Sequence, residues 1–411
     1  MQTKNTLLSA LTLLCAAQAA VADNFDTTVT LGGITRSLGF ATFDDAIKAA
    51  NHPENYQGLF PGVKSTVGAD IIMNFKGVPI EFQKVSTTQV NVTIPGLGIQ
   101  QSVVVTPGGV GSLSKQLDTK VENFVRSHNA SINKQLAKVD PADPLGGNPS
   151  SLMGVMVENA YLLAMTDDWS GSTRKNPNIK NRFDGGIRYG HYDLSGKSVD
   201  TFTLPLSYTV KLDDRQQIIV SAPFTYIDTQ GATSYDGGAG VAYKYRMNDK
   251  WVLTPAVAYS LRGSFDLADA GHVASGTVTS KYTFDLESLD PNSLKLTIGN
   301  MAGYYTTLPF AVKGYSVDPN LQNYILKNGL ILSKNVNGDF WGHKLNVAGN
   351  FTDTEYFGSH FFVDQYNELG ITVKAVNDKH WLSALSLGGN YLFSATGKDV
   401  SGYRVSLMYQ F

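Results

Sequence analysis

The chain is poor in cysteine, in charge and in long apolar runs. Of its 411 residues one is cysteine, Cys15. Cys15 lies in an N-terminal stretch patterned as an export signal. Lys4 gives the positive start, Leu7 to Ala17 the apolar run, and Ala20-Val21-Ala22 the small-residue cleavage site. Residues 1–22 are therefore expected to be removed before Asp23. Leu14, just before Cys15, is too bulky for a lipoprotein cleavage site. The mature chain then has no thiol, which excludes disulfides, cysteine–metal sites and cysteine nucleophiles. A chain that crosses an oxidising compartment unfolded gains from having none to mispair. Charged residues are 17% of the chain and the net charge is −2, so no nucleic-acid partner is expected. Past the signal there is no uncharged apolar run long enough for a spanning helix.

Catalytic patterns are also missing. The 7 histidines show no H-E-x-x-H spacing. His191 with Asp193 and His360 with Asp364 are the close acid–histidine pairs, and no motif surrounds either. Gly108-Gly109-Val110-Gly111 lacks the lysine of a phosphate cradle. No catalytic, cofactor-binding or metal residue is assigned, no cofactor is expected, and no enzyme activity is expected. No internal repeat suggests a β-helix.

What is present is Gly (40), Tyr (20) and, from Phe183 onward, a rhythm of two. The final strand alternates Tyr403, Val405, Leu407, Tyr409 and Phe411 with Arg404, Ser406, Met408 and Gln410. Successive strand side chains face opposite ways, so one face is apolar and the other mostly polar. The same alternation carries Phe202, Leu204, Leu206, Tyr208, Val210 and Leu212, with Pro205 predicting a local bulge. It returns at Ile218–Tyr226, Val241–Met247 and Trp251–Leu261, and in about twelve strands altogether. Asp213–Arg215, Asn248–Lys250, Leu289–Asn292, Asn335–Gly338 and Asn377–Lys379 are expected tight turns on one side. Longer loops are expected on the other side, at Thr229–Gly238, Asp266–Gly276, Thr306–Asn323 and Asp353–Asn367. Trp251 and Trp381 follow turns and suit an interfacial aromatic belt. The predicted fold is a roughly 12-stranded antiparallel transmembrane β-barrel over 183–411.

Upstream, 23–111 is expected to be a small mixed α/β region, with a short helix at Phe43–Ala50. Residues 112–168 are a helical segment and possible lumen plug, and 169–182 a linker. Within 112–168, Leu117, Val121, Phe124, His128, Ile132, Leu136 and Val139 mark one stripe of a helix roughly 40 Å long. A second helix is expected from Ser150 or Ser151 to Met165.

The terminal aromatic on an alternating strand resembles the C-terminal signature of Gram-negative outer-membrane barrels. Tyr409 and Phe411 would be the barrel-assembly signal in that family. A barrel of this count behind an apolar helix and a small exported region resembles the autotransporter β-domain family, in a small or solitary form. The resemblance implies an outer-membrane location, contact with lipid and with the barrel-assembly machinery, and a helix in the lumen. The chain departs from the family in its short, non-repetitive upstream region.

In the register above, Arg188, Lys211, Lys244, Arg246, Arg262, Lys281, Lys295, Lys344, Lys374 and Arg404 point inward and line the pore. A charge facing lipid costs roughly 2–4 kcal/mol at the midplane, so these need a wet or paired interior. Interior ion pairs are the favoured expectation and an anion-selecting lumen the other. Three functions follow. The first is a barrel that anchors or translocates its own N-terminal region. The second is a porin-like channel gated or plugged by that region. The third is a surface adhesin or receptor acting through its long loops. With an even strand count, the N-terminal region is expected to start on the short-turn side, where a periplasmic or surface protein partner could meet it.

Overall fold

The computed structural model describes residues 25–41, 67–106, 113–166, 181–264, 269–286, 294–312, 315–317, 319–340, 343–376 and 384–410, and singly 60, 62 and 266. The signal, the Phe43–Ala50 helix, the linker up to residue 180, the turns at Leu289–Asn292 and Asn377–Lys379, Trp381 and Phe411 lie outside them.

The first unit is a six-stranded antiparallel sheet. Its strands are β1 (Phe25–Leu31), β2 (Ile34–Phe40), β3 (Asp70–Phe75), β4 (Val78–Ser86), β5 (Gln89–Ile94) and β6 (Ile99–Val104), in spatial order β2-β1-β3-β4-β5-β6. Alternation gives it one apolar face, including Phe25, Val78, Ile80, Val92 and Ile94. That face is covered by α1 (Leu113–Ser127) and α2 (Asn129–Val139) through Leu117, Phe124, Ile132 and Leu136. Burying each such side chain contributes about 1.5–3 kcal/mol. The single long helix expected from the stripe is thus two helices. The chain leaves helical geometry at His128 (φ −106, ψ 5), whose Nδ1 lies 2.9 Å from the Phe124 carbonyl oxygen. The bend lets both halves lie on one sheet, where a straight rod would overshoot it.

The second unit is a closed 12-strand antiparallel barrel. Strand one is β7 (Asn181–Leu194), which begins inside the expected linker. Strand two is β8 (Lys197–Leu204) continued as β9 (Ser207–Lys211), and strand three is β10 (Gln216–Ser221) continued as β11 (Phe224–Thr229). The gap between β8 and β9 holds Pro205, which lacks a ladder donor, and the neighbouring strand breaks beside it at Ala222-Pro223. The Ala222 amide still donates to the Leu206 carbonyl at 2.9 Å, so the ladder resumes across the break. Then come β12 (Ala232–Arg246), β13 (Trp251–Ser264), β14 (Asp269–Asp285) and β15 (Lys295–Leu308). A small hairpin follows, β16 (Phe310–Val312) with β17 (Tyr315–Val317). The wall continues with β18 (Gln322–Phe340), β19 (His343–Gly358), β20 (Gln365–Val376), β21 (Ala384–Phe393) and β22 (Val400–Gln410). β22 pairs back onto β7, from Asp184↔Gln410 to Leu194↔Val400, and closes the ring. No sheet edge is left unpaired along this seam.

Two expectations about connections are corrected. Most expected long loops are strand: Thr229–Gly238 is the turn Gln230-Gly231 between β11 and β12, β14 starts at Asp269, and β19 and β20 occupy most of Asp353–Asn367. Beyond the lipid the outward positions no longer need to be apolar, so the alternation fades while ladder bonds continue. The connection between β15 and β18 remains long and carries the small hairpin. On the other side, Asn335–Gly338 is not a turn. It lies within β18, and the register shifts between Val336 and Asp339.

Candidate functional site: a threaded lumen

The end of the barrel where β7 begins and β22 stops is the near end; the opposite end is the far end. The sheet–helix unit meets the far end. The Phe362 amide donates to the Ala137 carbonyl at 2.8 Å, Lys197 pairs with Asp140 at 3.0 Å, and Ala232 packs into the core under α1 and α2. This corrects the expectation that the N-terminal region starts on the short-turn side. The chain then enters the barrel from the far end.

Residues 143–151 are all buried. Asp143 Oδ1 accepts from the Leu145 and Gly146 amides at 2.9 and 2.8 Å, and Asn148 Nδ2 donates to the Asp143 carbonyl at 2.7 Å. These bonds satisfy a turn that a protein interior would otherwise penalise. Gly146 and Gly147 lie flat against Phe361, where a Cβ would come within 2.2 and 2.4 Å of its side chain. Arg262 anchors the turn by donating to the Ser150 carbonyl at 2.7 Å while pairing with Asp236 at 2.5 Å.

Helix α3 (Leu152–Met165) follows inside the lumen. Ser151 caps it, its Oγ accepting from the Gly154 amide at 3.0 Å. The helix is apolar nearly all round, and most of its residues are buried, while Leu162 stays exposed. It packs on β12, β13, β14, β15 and β18. Tyr161 reaches the wall where Gly299 and Gly329 leave room, and its hydroxyl donates to the Gly299 carbonyl at 3.3 Å. The last turn has unpaired carbonyls and a negative dipole end. Lys244 donates to the Leu163 and Thr166 carbonyls at 3.1 and 3.0 Å, and Lys281 to that of Met165 at 3.2 Å.

The middle of the helix carries a four-membered charge cluster. Glu158 pairs with Lys327 at 3.1 Å and with Arg404 at 2.9 Å. Glu368 on β20 pairs with the same two cations, at 2.9 and 2.8 Å. All four are buried. Thr352 donates to Glu368 at 3.0 Å, and Lys327 sits 5.5 Å from the Tyr161 ring centroid. Beside the cluster Arg188 donates to Asn159 at 3.2 Å. Two anions and two cations alternate, so every carboxylate has both cations and the buried set is neutral.

Most of the sequence-predicted pore residues fall into two groups. Arg188, Lys244, Arg262, Lys281 and Arg404 converge on the threaded segment. Lys211, Arg246 and Lys295 instead lie at the near-end turns, paired with Asp214 (2.8 Å), Asp249 (3.7 Å) and Asp285 (3.7 Å). The hydrogen bond from Lys211 holds the exposed Asp214 carboxyl below its usual range. Lys374 is half-buried near the end of β20, Tyr409 is half-buried on β22, and the Lys344 side chain lies outside the described residues. Sequence reasoning missed Lys327, Glu158, Glu368 and Asp236. Lys327 was within reach: it opposes the outward Leu326 and Leu330 in parity. Glu158 is the one carboxylate of an apolar helix, which signals a buried partner. Among the described residues no group of His, Cys, Asp and Glu could hold a metal ion.

No protein-family model and no curated protein matches the chain. Solved structures are similar at low identity. The translocator domain of autotransporter NalP from Neisseria meningitidis has 9% identity and a TM-score of 0.43, over 63% of this chain and 94% of that one. The β-domain of the Bordetella autotransporter BrkA has 14% identity and a TM-score of 0.40, over 56% and 98%. An outer-membrane channel from Pseudomonas putida F1 has 11% identity and a TM-score of 0.37, over 60% and 98%. The outer-membrane placement follows from the chain's own geometry. The ring is closed, and its outer face carries one apolar girdle. Within it Val257, Tyr324, Leu369, Ile371 and Leu387 are each more than half exposed, from 55% at Leu387 to 65% at Tyr324.

Proposed function

We propose that this outer-membrane barrel carries its own N-terminal domain on the outer surface, with residues 140–166 threaded through the pore as the tether. One observation supports it above the others: the β1–β6 unit meets the end of the barrel opposite to the strand termini. Outer-membrane barrels keep short turns in the periplasm and longer connections outside. The longest connection of this barrel, between β15 and β18, lies at the far end. A domain there is outside the cell, and its tether must run inward to reach β7.

An epitope inserted between Gly32 and Gly33 tests this. Both sit in the β1–β2 turn at positive φ, and a Cβ at either would meet nothing within 4 Å, so the insertion leaves the sheet intact. Antibody binding to intact cells is expected. Binding only after the outer membrane is permeabilised overturns the proposal. A gated channel is the second reading. It is favoured by the inward, half-buried polar side chains of Asn350, Thr372, Asn390 and Ser406, on the β19–β22 wall that α3 meets through the Glu158 charge cluster rather than by the close packing it makes on β12–β15.

A further inference from the structure

The lipid-facing side of β15 and β18 departs from the rest of the girdle. The outward positions of β15 run Leu296, Ile298, Asn300, Ala302, Tyr304, and those of β18 run Tyr324, Leu326, Asn328, Leu330, Leu332. Each series has apolar residues on both sides of one asparagine. Tyr304 and Tyr324, with ring centroids 5.2 Å apart, mark one edge of the apolar band. Tyr282 and Phe284, on the neighbouring β14, mark the other. Asn300 and Asn328 thus lie near mid-depth. They are cross-strand partners, both exposed, and Asn300 Nδ2 donates to Asn328 Oδ1 at 2.7 Å.

Among the described residues that bond leaves Asn328 Nδ2 without an acceptor and Asn300 Oδ1 without a donor. Hydrocarbon satisfies neither, and a polar group facing lipid unpaired is strongly disfavoured. The polar row continues to both sides. Ser280 pairs with Asn300 in register and accepts from Trp251 Nε1 at 2.9 Å. Asp353 pairs with Asn328 in register and accepts from Gln365 Nε2 at 2.5 Å. On one side of the row stand Ala302 and its cross-strand partner Val278, and Gly276 lies one outward position further, opposite Tyr304. The centres of the described outward faces of β7, β13, β20 and β22 hold no such amide: Ile187, Val257, Ile371 and Leu407 stand there.

We propose that this wall is the contact surface for a second copy of the same chain in the membrane. The free groups are self-complementary. Two barrels that share an orientation in the bilayer are related by a two-fold axis along its normal. An axis between Asn300 and Asn328 sets the Asn328 Nδ2 of each copy against the Asn300 Oδ1 of the other, and the two hydrogen bonds form reciprocally, as an isologous interface requires. Asp353 lies to one side of that axis and faces β14 of the second copy rather than its equivalent.

The test uses the full chain in native membranes. With Cys15 replaced by serine no other cysteine is present. Asn328→Cys is introduced and oxidised with copper phenanthroline. A band at twice the chain mass is expected, and it is absent for Val257→Cys on another wall. The double substitution Asn300→Leu, Asn328→Leu should keep the heat-modifiable mobility of a folded barrel while the dimer seen by light scattering in mild detergent falls at least tenfold. A wild-type chain that is monomeric, an Asn328→Cys yield no higher than that of Val257→Cys, or cross-linking to a protein of another mass each overturns the proposal.

Discussion

Four side chains form one connected charge cluster in the lumen. Glu158 and Glu368 share Lys327 and Arg404 in a buried, neutral set. Removing one anion leaves two cations for one carboxylate in a poorly solvated place, and breaking a buried set of this kind costs about 3–5 kcal/mol. Glu158→Gln is therefore expected to lower the thermal midpoint of the purified barrel clearly, as circular dichroism in detergent would record. Adding Lys327→Met should restore part of the loss, because one cation then faces one carboxylate. If the double variant is as unstable as the sum of the single ones, the cluster is not a unit. Of this set the sequence offered Arg404 by strand parity. Lys327 obeyed the same parity and was still missed. Glu368 was invisible because it directly follows the stretch expected to be the long loop Asp353–Asn367. Pairing between a helix and three distant strands has no local sequence signal.

At the scale of elements, α3 fits its wall through glycine. A Cβ at Gly329 would come within 2.2 Å of the Tyr161 hydroxyl, and one at Gly299 within 2.7 Å of it. Gly329→Ala should therefore overfill the lumen, at about 1–3 kcal/mol. Tyr161→Phe in the same chain should recover part of that by removing the atom in the way. The readout is protease cleavage of the tether, which should rise in Gly329→Ala and fall again in the double variant. Gly147→Ala should act more severely. Its φ of +84 disfavours any side chain, and its Cβ would come within 2.4 Å of Phe361. The helix itself was legible: Ser151 as cap and an apolar run to Met165 place both ends. The break at His128 was not, since the apolar stripe runs straight through it and the bend answers to the sheet beneath. Pro205 did announce an irregularity in its strand, because a missing donor is a local property, but the expected bulge is an interruption.

At the scale of the whole molecule, strand number and plug belong together. Eight strands enclose a lumen that side chains fill, and 16–18 leave an aqueous channel. Twelve lie between these. A helix about 10–12 Å across with its side chains then fills much of such a lumen. The twelve-strand count was readable from the rhythm of two, which lipid on one side and a lumen on the other impose at every position. Which end the N-terminal domain meets was not, because strand parity carries no information about the direction in which the preceding segment runs. If α3 is what closes the barrel, conductance must depend on it. A chain that keeps its signal and resumes at residue 167, checked for folding by its heat-modifiable band, should conduct steadily in planar bilayers. The intact chain should stay near its closed level. Glu158→Gln should flicker between the two, since it loosens the helix without removing it. Equal steady conductance from the intact and shortened chains would mean that the polar wall of Asn350, Thr372, Asn390 and Ser406 already forms the open path. The helix would then be a tether and not a gate.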